Sequence, residues 1–392
     1  MYKEQLFSVI DELEPNAVND WIKVCNIESP TNFKEGVDAC GRYFIEKAKQ
    51  NGWKVEVHEE EISGNAICIT MNERVSGKPV AISGHLDTVH PVGLFGNPPT
   101  HIEGDKIYGP GVTDCKGGVV AGFYAMQALH NCGFKDRPIM LILQSDEEVG
   151  SRFSQLRTID FMCEKAKDAV AFLNTEGCSG ANGVNDNLAV LLRKGIVRYN
   201  LTVKGKSVHS SRSFDGASAV LEAAHKIIEL EKYKDTKWGI TSNCGIVNGG
   251  SAANTVPEEC TVTVDFRFPD KAALEEIEAF VKEVAETSHV DGTSCEVVRI
   301  SHRPAMVKSE LNVKLLEKIN EIYSDCKLPV LEAGSSRGGS DAAYTTNAGI
   351  PTVDNLGVLG DRIHSADEHA YLFSMKESIL RIATVAAYIK ED

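Results

Sequence analysis

The sequence predicts an α/β protein, in which a mixed sheet is covered by helices on both faces and an α+β domain of ferredoxin-like type is inserted. Short apolar runs alternate with helical segments over the first half of the chain, and this alternation is typical of a sheet with helices on both faces. Near residue 195 the order changes to strand, helix, two strands, helix and strand, as in a ferredoxin-like unit. The chain of 392 residues is long enough for both domains.

The elements of the first domain follow from the spacing of apolar residues. Helical spacing covers 2–25 and 36–50, and the apolar runs become shorter after Trp53. The predicted strands are 55–58, 66–70, 80–83, 139–143 and 170–173, and the helices between them are 117–130 and 153–165. Because ligands bind at the carboxyl ends of the strands in such sheets, we expect functional residues just after the strands.

The predicted insertion has six elements of its own. Its strands are 198–203, 241–247, 261–268 and 296–300, and its helices are 217–232 and 272–287. The chain enters it at Lys194-Gly195 and leaves it at Arg303-Pro304, after which 311–324 is helical again. We therefore predict a first domain of residues 1–194 and 305–392 and an inserted domain of residues 195–304.

Composition argues against several kinds of protein. A net charge of −15 disfavours a nucleic-acid partner, which needs clustered Lys and Arg. The eleven cysteines are odd in number and never form a CxxC pair, which argues against a disulfide framework or a zinc ribbon and favours the cytoplasm. No stretch approaches the roughly 20 apolar residues of a membrane span, so no membrane partner is expected. The absence of a GxGxxG turn argues against a dinucleotide-dependent enzyme.

Acids and histidines follow several predicted strands or flank a helix. They are His85 and Asp87, Asp114, Glu147 and Glu148, Glu176, and His364 and His369. Each has an ordinary explanation when taken alone, such as a helix cap for Asp114. Together, however, they would meet at one edge of the sheet, where burial and like-charge repulsion raise carboxyl pKa values. Divalent cations remove this difficulty, and imidazole with carboxylate suits zinc, with manganese or cobalt as substitutes.

The number of carboxylates favours two ions. Two divalent ions bring four positive charges against three negative charges from Asp114, Glu148 and Glu176, so that a bridging hydroxide would neutralise the site. Two ions about 3.5–4 Å apart are the usual arrangement for activating such a water. Asp87 stands two positions after His85 and could accept its second ring N–H, the support that a metal-bound histidine needs.

Eight segments, in this order, resemble a family of co-catalytic zinc exopeptidases and deacylases. The family includes carboxypeptidase G, acetylornithine deacetylase, succinyl-diaminopimelate desuccinylase, aminoacylase and peptidase T. The segments are SGHLDTVHP, GVTDCKGG, SDEEVGS, NTEG, KGKSVHSS, NTVPEECTVTVDFR, RGGSDAAY and GDRIHSADEH. The stretch RGGSDAAYTTNAGIPTVDNLG is most similar to the carboxypeptidase G branch.

The resemblance implies a role for each residue of the metal site. The implied ligands are His85 and Glu176 for one zinc ion, Glu148 and His364 for the other, and Asp114 for both. Asp87 would orient His85, and Glu147 would bind no metal and act as general base. The family commonly has a cis peptide after its bridging aspartate, which would fall at Asp114-Cys115.

The inserted domain resembles the family's lid and dimerisation domain, which implies a homodimer. His209 would stabilise the oxyanion, from its own subunit or from the partner, while Arg267 and Asn254 would bind substrate, Arg267 through a terminal carboxylate. Gly338, Gly339 and Ser340 would add backbone and hydroxyl contacts. Alternatives remain open: His209 as a loop cap, Arg267 on the exposed face of its strand, and Ser340 in a plain helix cap.

The predicted function is a dinuclear zinc hydrolase that cleaves the amide bond next to a C-terminal amino acid. An N-acyl-amino-acid deacylase is the alternative, since both activities recognise a free α-carboxylate. Glu176 fits both, because aminopeptidases of the family tend to have Asp there. A non-catalytic metal-stabilised binding protein is an alternative of another class, but it would not need Glu147.

Overall fold

The computed structural model describes residues 3–179, 187–234 and 239–391. The chain forms two compact units. The first consists of Met1–Leu191, Lys308–Ser335 and Ser340–Asp392, and the second of Leu192–Val307 with Ser336–Gly339. The second unit contains all of the range 195–304 and a few residues on either side of it.

The helices and strands are numbered in chain order over the described residues. The helices are α1 (Lys3–Cys25), α2 (Lys34–Gln50), α3 (Lys116–Asn131), α4 (Arg157–Ala166), α5 (Ala219–Lys232), α6 (Lys271–Glu286), α7 (Glu310–Cys326), α8 (Ala342–Asn347) and α9 (Phe373–Tyr388). The strands up to the second unit are β1 (Lys54–His58), β2 (Ala66–Met71), β3 (Val80–His85), β4 (His101–Glu103), β5 (Lys106–Tyr108), β6 (Ile139–Gln144), β7 (Ala171–Asn174), β8 (Cys178–Ser179) and β9 (Leu188–Arg193). The remaining strands are β10 (Gly195–Lys204), β11 (Thr241–Gly249), β12 (Glu259–Phe268), β13 (Ser294–Arg303), β14 (Glu332–Ser336), β15 (Thr352–Val353), β16 (Leu359–Asp361) and β17 (His369–Tyr371).

The main sheet of the first unit is mixed, which confirms the predicted fold class. Within the described residues it has the strand order β1-β2-β6-β3-β7-β15. Strand β3 runs parallel to β6 and β7, whereas β2 runs antiparallel to β6. In the register, His85 lies beside Gln144 and Ser83 beside Asn174. The carboxyl ends of these three strands are therefore level with one another.

Helices cover both faces of this sheet because successive strand residues point to opposite sides. Ile82 and Leu141 belong to a core shared with α1, α3 and α9. Their neighbours Ala81 and Ile142 belong to a second cluster with Ile159 of α4. The strands are thus apolar on both faces, which explains their continuous apolar runs in the sequence.

The second unit contains a four-stranded antiparallel sheet in the order β11-β12-β10-β13. Its strands and the helices α5 and α6 follow one another as β-α-β-β-α-β, which confirms the ferredoxin-like topology. Buried and half-exposed residues alternate along β12, so that Val264 and Phe266 join the core of this unit. Asp265 and Arg267 lie on the opposite, half-exposed face.

The first unit differs from the predicted elements in several places, including the start of α4 and a second sheet. Helix α4 begins at Arg157 rather than at residue 153, because the N–H and hydroxyl of Ser154 are hydrogen-bonded to Asp146 and the φ angles of Gln155 and Leu156 are positive. A second sheet, with the order β4-β5-β17-β16-β8, was not predicted at all. Its strands have two or three residues each, which is too short for a periodic signal.

None of the helices in the described part of the chain combines the length and the apolar composition that a bilayer-spanning segment requires.

Candidate active site

Three strands of the main sheet each lead into an acid or histidine of the site. His85 is the last residue of β3 and is buried. Strand β6 leads into a 3-10 helix, Glu147–Val149, which carries Glu147 and Glu148. Glu176 lies two positions beyond β7, where the N–H of Thr175 donates to the carbonyl of Ser83 at 2.7 Å. Because the carboxyl ends of the three strands lie side by side, these residues come together at one edge of the sheet.

Asp114 lies in the turn before α3, and the Asp114-Cys115 peptide is cis. Two glycines in the first turn of α3 permit a close approach to neighbouring backbone. A Cβ at Gly118 would lie 1.9 Å from the carbonyl oxygen of Thr175, and one at Gly117 would lie 2.3 Å from that of Val112. The Gly-rich motif is thus explained by packing, which brings Asp114 next to the end of β7.

His364 reaches the site from the connection between β16 and β17. Strand β17 pairs with β5, so that His369 lies opposite Tyr108 and the connection lies near the turn that carries Asp114. His364 has a φ of 63°, and its side chain is 51% exposed. Its ring lies within 3.2 Å of the carboxylates of Asp114 and Glu148.

The side chain of Asp114 is the centre of the cluster. Its Oδ1 lies 3.0 Å from Nε2 of His85, and its Oδ2 lies 3.1 Å from Nε2 of His364. The same nitrogen of His364 lies 3.2 Å from Oε2 of Glu148, and Nε2 of His85 lies 3.7 Å from Oε1 of Glu176. The structure thus brings together all five residues that the sequence proposed as metal ligands.

These distances fit a bound metal cation. Two ligand atoms on one tetrahedral zinc ion, with bonds of about 2.0–2.1 Å, lie about 3.3 Å apart. Nδ1 of His85 lies 2.9 Å from the backbone carbonyl oxygen of Asp87 and must carry a proton, since that oxygen only accepts. When a cation lies between this ring and the carboxylates, the ring is neutral and Nε2 directs its lone pair at the ion. Such an arrangement is favourable with a cation held between nitrogen and oxygen.

The pKa shifts in the cluster also favour a bound cation. Burial and the negative charge of Asp114 raise the pKa of Glu148 to about 8, although its contact with His364 opposes this. Hydrogen bonds with Asp114 and Glu148 raise the pKa of His364 to about 11. Burial disfavours the ionised form of Asp114, but hydrogen bonds from His364 and His85 outweigh it and hold its pKa well below the usual value. Perturbed acids of this kind cluster at functional sites.

Asp87 contacts more than His85. Its Oδ1 lies 3.4 Å from Nδ1 of His85, which is farther than the backbone oxygen at 2.9 Å. The N–H groups of Glu147 and Glu148 donate to its two oxygens at 3.1 Å each, and the hydroxyl of Thr31 donates at 2.7 Å. Asp87 is fully buried. It therefore fixes the start of the 3-10 helix that carries both glutamates.

Two of the sequence-predicted residues of the second unit lie on adjoining loops. The N–H of Ser210 donates to the carbonyl of Asn254 at 2.9 Å. Nδ1 of His209 lies 2.9 Å from Oγ of Ser211 and accepts from the N–H of Ser211 at 3.3 Å. This is the cap geometry that the sequence left open. Nε2 of the exposed His209 has no hydrogen-bond partner among the described residues.

Arg267 is held in place by an acid on its own strand. Its Nε donates to Oδ1 of Asp265 at 2.8 Å, and Nε of Arg198 donates to the other oxygen at 2.7 Å. The side chain of Arg267 is 29% exposed. Arg267 therefore lies on the outer face of β12, as one alternative expected, and Asp265 fixes its guanidinium, whereas substrate binding by Arg267 stays a prediction.

Gly339 and Ser340 have local packing roles. The carbonyl oxygen of Gly339 lies 3.4 Å from Nη1 of Arg193, and a Cβ there would lie 2.8 Å from Arg303. Ser340 is buried, and its Oγ accepts from Nδ2 of Asn174 at 3.0 Å and from the N–H of Ala342 at 3.2 Å. These contacts match the helix-cap explanation for Ser340.

Sequence reasoning missed a buried residue of the same cluster, Glu368. It accepts the backbone N–H of Asp114 at 3.1 Å and lies 2.6 Å from Nε2 of His90. The only signal was its place in the segment GDRIHSADEH, four positions after His364. Its burial and its partners depend on segments far away in the sequence.

The model of a known family matches most of the chain. The description of that family is "Peptidase family M20/M25/M40", and the match covers residues 81–390. The chain belongs to this peptidase family. The resemblance of its motifs to zinc exopeptidases and deacylases is thereby confirmed, and the protein is a metallohydrolase of the M20 family. Metal ions are the cofactors of this class.

Curated relatives and solved structures agree with the assignment. Carboxypeptidase G2 from Pseudomonas sp. (strain RS-16) is 28% identical over 364 residues, which cover 92% of this chain and 86% of that protein. A probable succinyl-diaminopimelate desuccinylase from Staphylococcus aureus (strain MRSA252) is 27% identical over 361 residues, which cover 82% of this chain and 80% of the relative.

Two solved structures share the fold of the M20-family chain. A tripeptidase from Staphylococcus aureus subsp. aureus Mu50 aligns with a TM-score of 0.76 at 21% identity, over 95% of this chain and 98% of that one. An M20 family metallo-carboxypeptidase from Sulfolobus solfataricus aligns with a TM-score of 0.75 at 17% identity, with the same coverage. At these identities, the alignments establish the fold alone.

Proposed function

We propose that this protein is a dinuclear zinc exopeptidase that hydrolyses the amide bond next to a C-terminal amino acid. The observation that carries the proposal is the convergence of two imidazoles and three carboxylates around Asp114. The identity of 28% to a carboxypeptidase over most of both chains supports the direction of cleavage. Manganese or cobalt could replace zinc, because both accept the same nitrogen and oxygen ligands.

Five residues would hold the metal ions. His85 and Glu176 would bind one zinc ion, Glu148 and His364 the other, and Asp114 both, in keeping with its central position. When bound, the ions supply Lewis acidity that activates water and polarises the scissile carbonyl. Asp87 keeps His85, Glu147 and Glu148 in register through the hydrogen bonds described above.

Glu147 is the proposed general base. It is 6% exposed, and its backbone is fixed by Asp87. It takes a proton from the attacking water and returns it to the leaving amine, a function that contributes about 10²–10⁴ in rate. His209 is the proposed donor to the developing oxyanion, and Asn254, on the adjoining loop, is a proposed substrate contact, with Gly339 and Ser340 as further candidates.

The proposed substrate has a free α-carboxylate, which Arg267 would bind. The hydrogen bond that Nε of Arg267 donates to Asp265 fixes the plane of the guanidinium, and a planar guanidinium binds a carboxylate through two parallel hydrogen bonds. Lys194 and Arg337 add positive charge close to Arg267. Burial lowers the pKa of Lys194 most, and the charges of Arg337 and Arg267 lower it further. This concentration of cations in the second unit favours an anionic ligand.

A deacylase of N-acyl amino acids is the second candidate. The 27% identity to a probable succinyl-diaminopimelate desuccinylase favours it, and such a substrate also has a free carboxylate next to the scissile amide. Zinc-loaded protein assayed on matched dipeptides and N-acyl amino acids separates the two. We expect hydrolysis only where the C-terminal carboxylate is free.

Two results of this assay would contradict the proposal. Preference for peptides with a free amine and an amidated C-terminus would exclude both candidates. Absence of turnover on the whole panel, with both metals bound, would favour the non-catalytic binding protein.

We further propose a cytoplasmic homodimer that binds neither nucleic acid nor membrane. The ten cysteines whose side chains the structure describes are free thiols, which supports a reducing compartment. The net charge of −15 opposes contact with nucleic acid and with anionic lipid. The dimer would form through the second unit, where β11 is an edge strand among the described residues and exposes Ile246 and Val247 at 56% and 49%.

A further inference from the structure

Glu368 is a buried acid whose two oxygens bind two different chain segments. Its side chain is fully buried. Oε1 accepts the N–H of Thr113 at 2.9 Å and the N–H of Asp114 at 3.1 Å. Oε2 lies 2.6 Å from Nε2 of His90, which is 4% exposed. Each oxygen therefore has a defined partner, and neither is left to solvent.

Glu368 and its partners belong to three segments, each of which also carries a proposed metal ligand. Glu368 itself follows His364 by four positions, His90 follows His85 by five, and Asp114 is contacted directly. These contacts span 278 positions to His90 and 254 positions to Asp114. A single carboxylate thus fixes the separation of segments that the sequence keeps far apart.

Further contacts restrict the turn that contains Thr113 and Asp114, whose N–H groups Glu368 accepts. The hydroxyl of Thr113 donates to the carbonyl of His369 at 2.8 Å. A Cβ at Gly360 would lie 2.0 Å from that hydroxyl oxygen, so the turn packs directly on the β16–β17 hairpin. Glu368 is a charged group at this contact. It accepts the backbone N–H of Asp114, whose side chain faces the rings of His85 and His364.

We propose that Glu368 is a positioning residue for the metal centre and that His90 supports it. The inference rests on the proposed dinuclear function. By holding the backbone of Asp114, Glu368 places the two carboxylate oxygens opposite His85 and His364. Outer groups of this kind typically change metal affinity or activity by about 10–100-fold when they are removed. Loss of Glu368 would also leave two buried N–H groups without an acceptor.

The test measures metal binding directly in Glu368→Gln and Glu368→Ala. Equilibrium zinc and cobalt affinities are determined against a competing chelator, together with the visible spectrum of the cobalt-loaded protein and the melting temperature of the metal-free protein. We expect about 10–100-fold weaker binding in Glu368→Ala, with an altered cobalt spectrum. Glu368→Gln should still weaken binding, but by less, because its amide oxygen can accept both N–H groups while an amide nitrogen replaces the carboxylate oxygen that faces His90.

Glu60→Gln is the matched control. Glu60 is another buried acid of the first unit, and its carboxylate binds Arg157 and His58 rather than any residue near the cluster. It should lower the melting temperature without changing metal affinity or the cobalt spectrum. His90→Gln should weaken metal binding less than Glu368→Ala, because it removes only the support of Oε2.

The outcomes separate this inference from the proposed function. A wild-type protein that binds neither zinc nor cobalt would overturn the proposed function, and the inference with it. Normal binding in the wild type with unchanged affinity and spectrum in Glu368→Ala would overturn the inference alone, as would an equal loss in Glu60→Gln. If Glu368→Ala does not fold, Glu368→Gln decides, and wild-type affinity and spectrum in that variant would refute the role.

Discussion

Two adjacent glutamates of the site have different surroundings although one aspartate holds both. Asp87 accepts the N–H groups of Glu147 and Glu148 on its two oxygens. The side chain of Glu148 then lies 3.2 Å from His364, whereas Glu147 is the proposed base. Neighbouring side chains leave the backbone in different directions, so the pair can supply a ligand and a base from one short helix.

Replacement of Glu147 tests whether Glu147 is the base and Glu148 the metal ligand. Glu147→Ala should bind both metals normally and lose about 10²–10⁴ in turnover, because the proton acceptor is gone. Metal content by elemental analysis and kcat on the preferred substrate check the two halves. Loss of the metals together with appreciable activity after reconstitution would contradict the assignment.

Asp114 is the residue on which both metal ions depend in the proposal. Its two oxygens face different histidine rings, at 3.0 and 3.1 Å. Asp114→Ala should therefore lose both ions, whereas Glu176→Ala should mainly weaken one. Titration with zinc followed by calorimetry distinguishes the stoichiometries, and two tightly bound ions in Asp114→Ala would show that the bridge is misassigned.

At the scale of elements, three helices of the first unit meet at one buried acid. Asp20 of α1 accepts from Lys47 of α2 and, at 2.7 Å, from the hydroxyl of Tyr124 in α3. Burial opposes its ionisation, but the bonds from Lys47 and Tyr124 outweigh burial and lower the pKa of Asp20 to about 2. The folded pKa is below the unfolded value, so this stabilisation is present at neutral pH and is lost as pH falls through about 2.

Asp20→Asn should lower the free energy of unfolding by about 2 kcal/mol at pH 7 and by less at pH 3, where the unfolded chain is already largely protonated. Urea unfolding of the metal-free protein at both values measures the difference. Asp11→Asn is the control, since Asp11 is 59% exposed in its pair with Lys376 and exposed pairs contribute little. An equal effect at the two pH values would refute the electrostatic explanation.

At the scale of the whole molecule, the proposed dimer uses the edge strand β11. An edge strand offers unpaired N–H and C=O groups to a second chain, and Ile246 and Val247 add exposed apolar surface. Sedimentation should show a dimer for the wild type and a monomer for Ile246→Lys with Val247→Lys. Val298→Lys, at an exposed valine on the opposite edge strand β13, should remain dimeric. A monomeric wild type would contradict the proposal.

Much of the fold could be predicted because its signals are local. The apolar runs of β3, β6 and β7 and the spacing of α3 are properties of single segments, and the structure places these elements within two residues of the predicted limits. The start of α4 was missed because Asp146 binds Ser154 across the intervening turn. The small sheet with β16 and β17 was missed because its strands are too short to show a period.

The sequence by itself determined the five residues proposed as metal ligands and their order, because their motifs resemble those of a known family and most of them stand beside an element that the local pattern reveals. Only the tertiary structure decided how they interact. It places the oxygens of Asp114 opposite two histidine rings, and Asp87 accepts the N–H groups of two glutamates. It also brings Glu368 into contact with His90 and Asp114. These contacts join segments that lie up to 278 positions apart. Their geometry arises from the packing of the whole unit, for which no single segment carries a pattern.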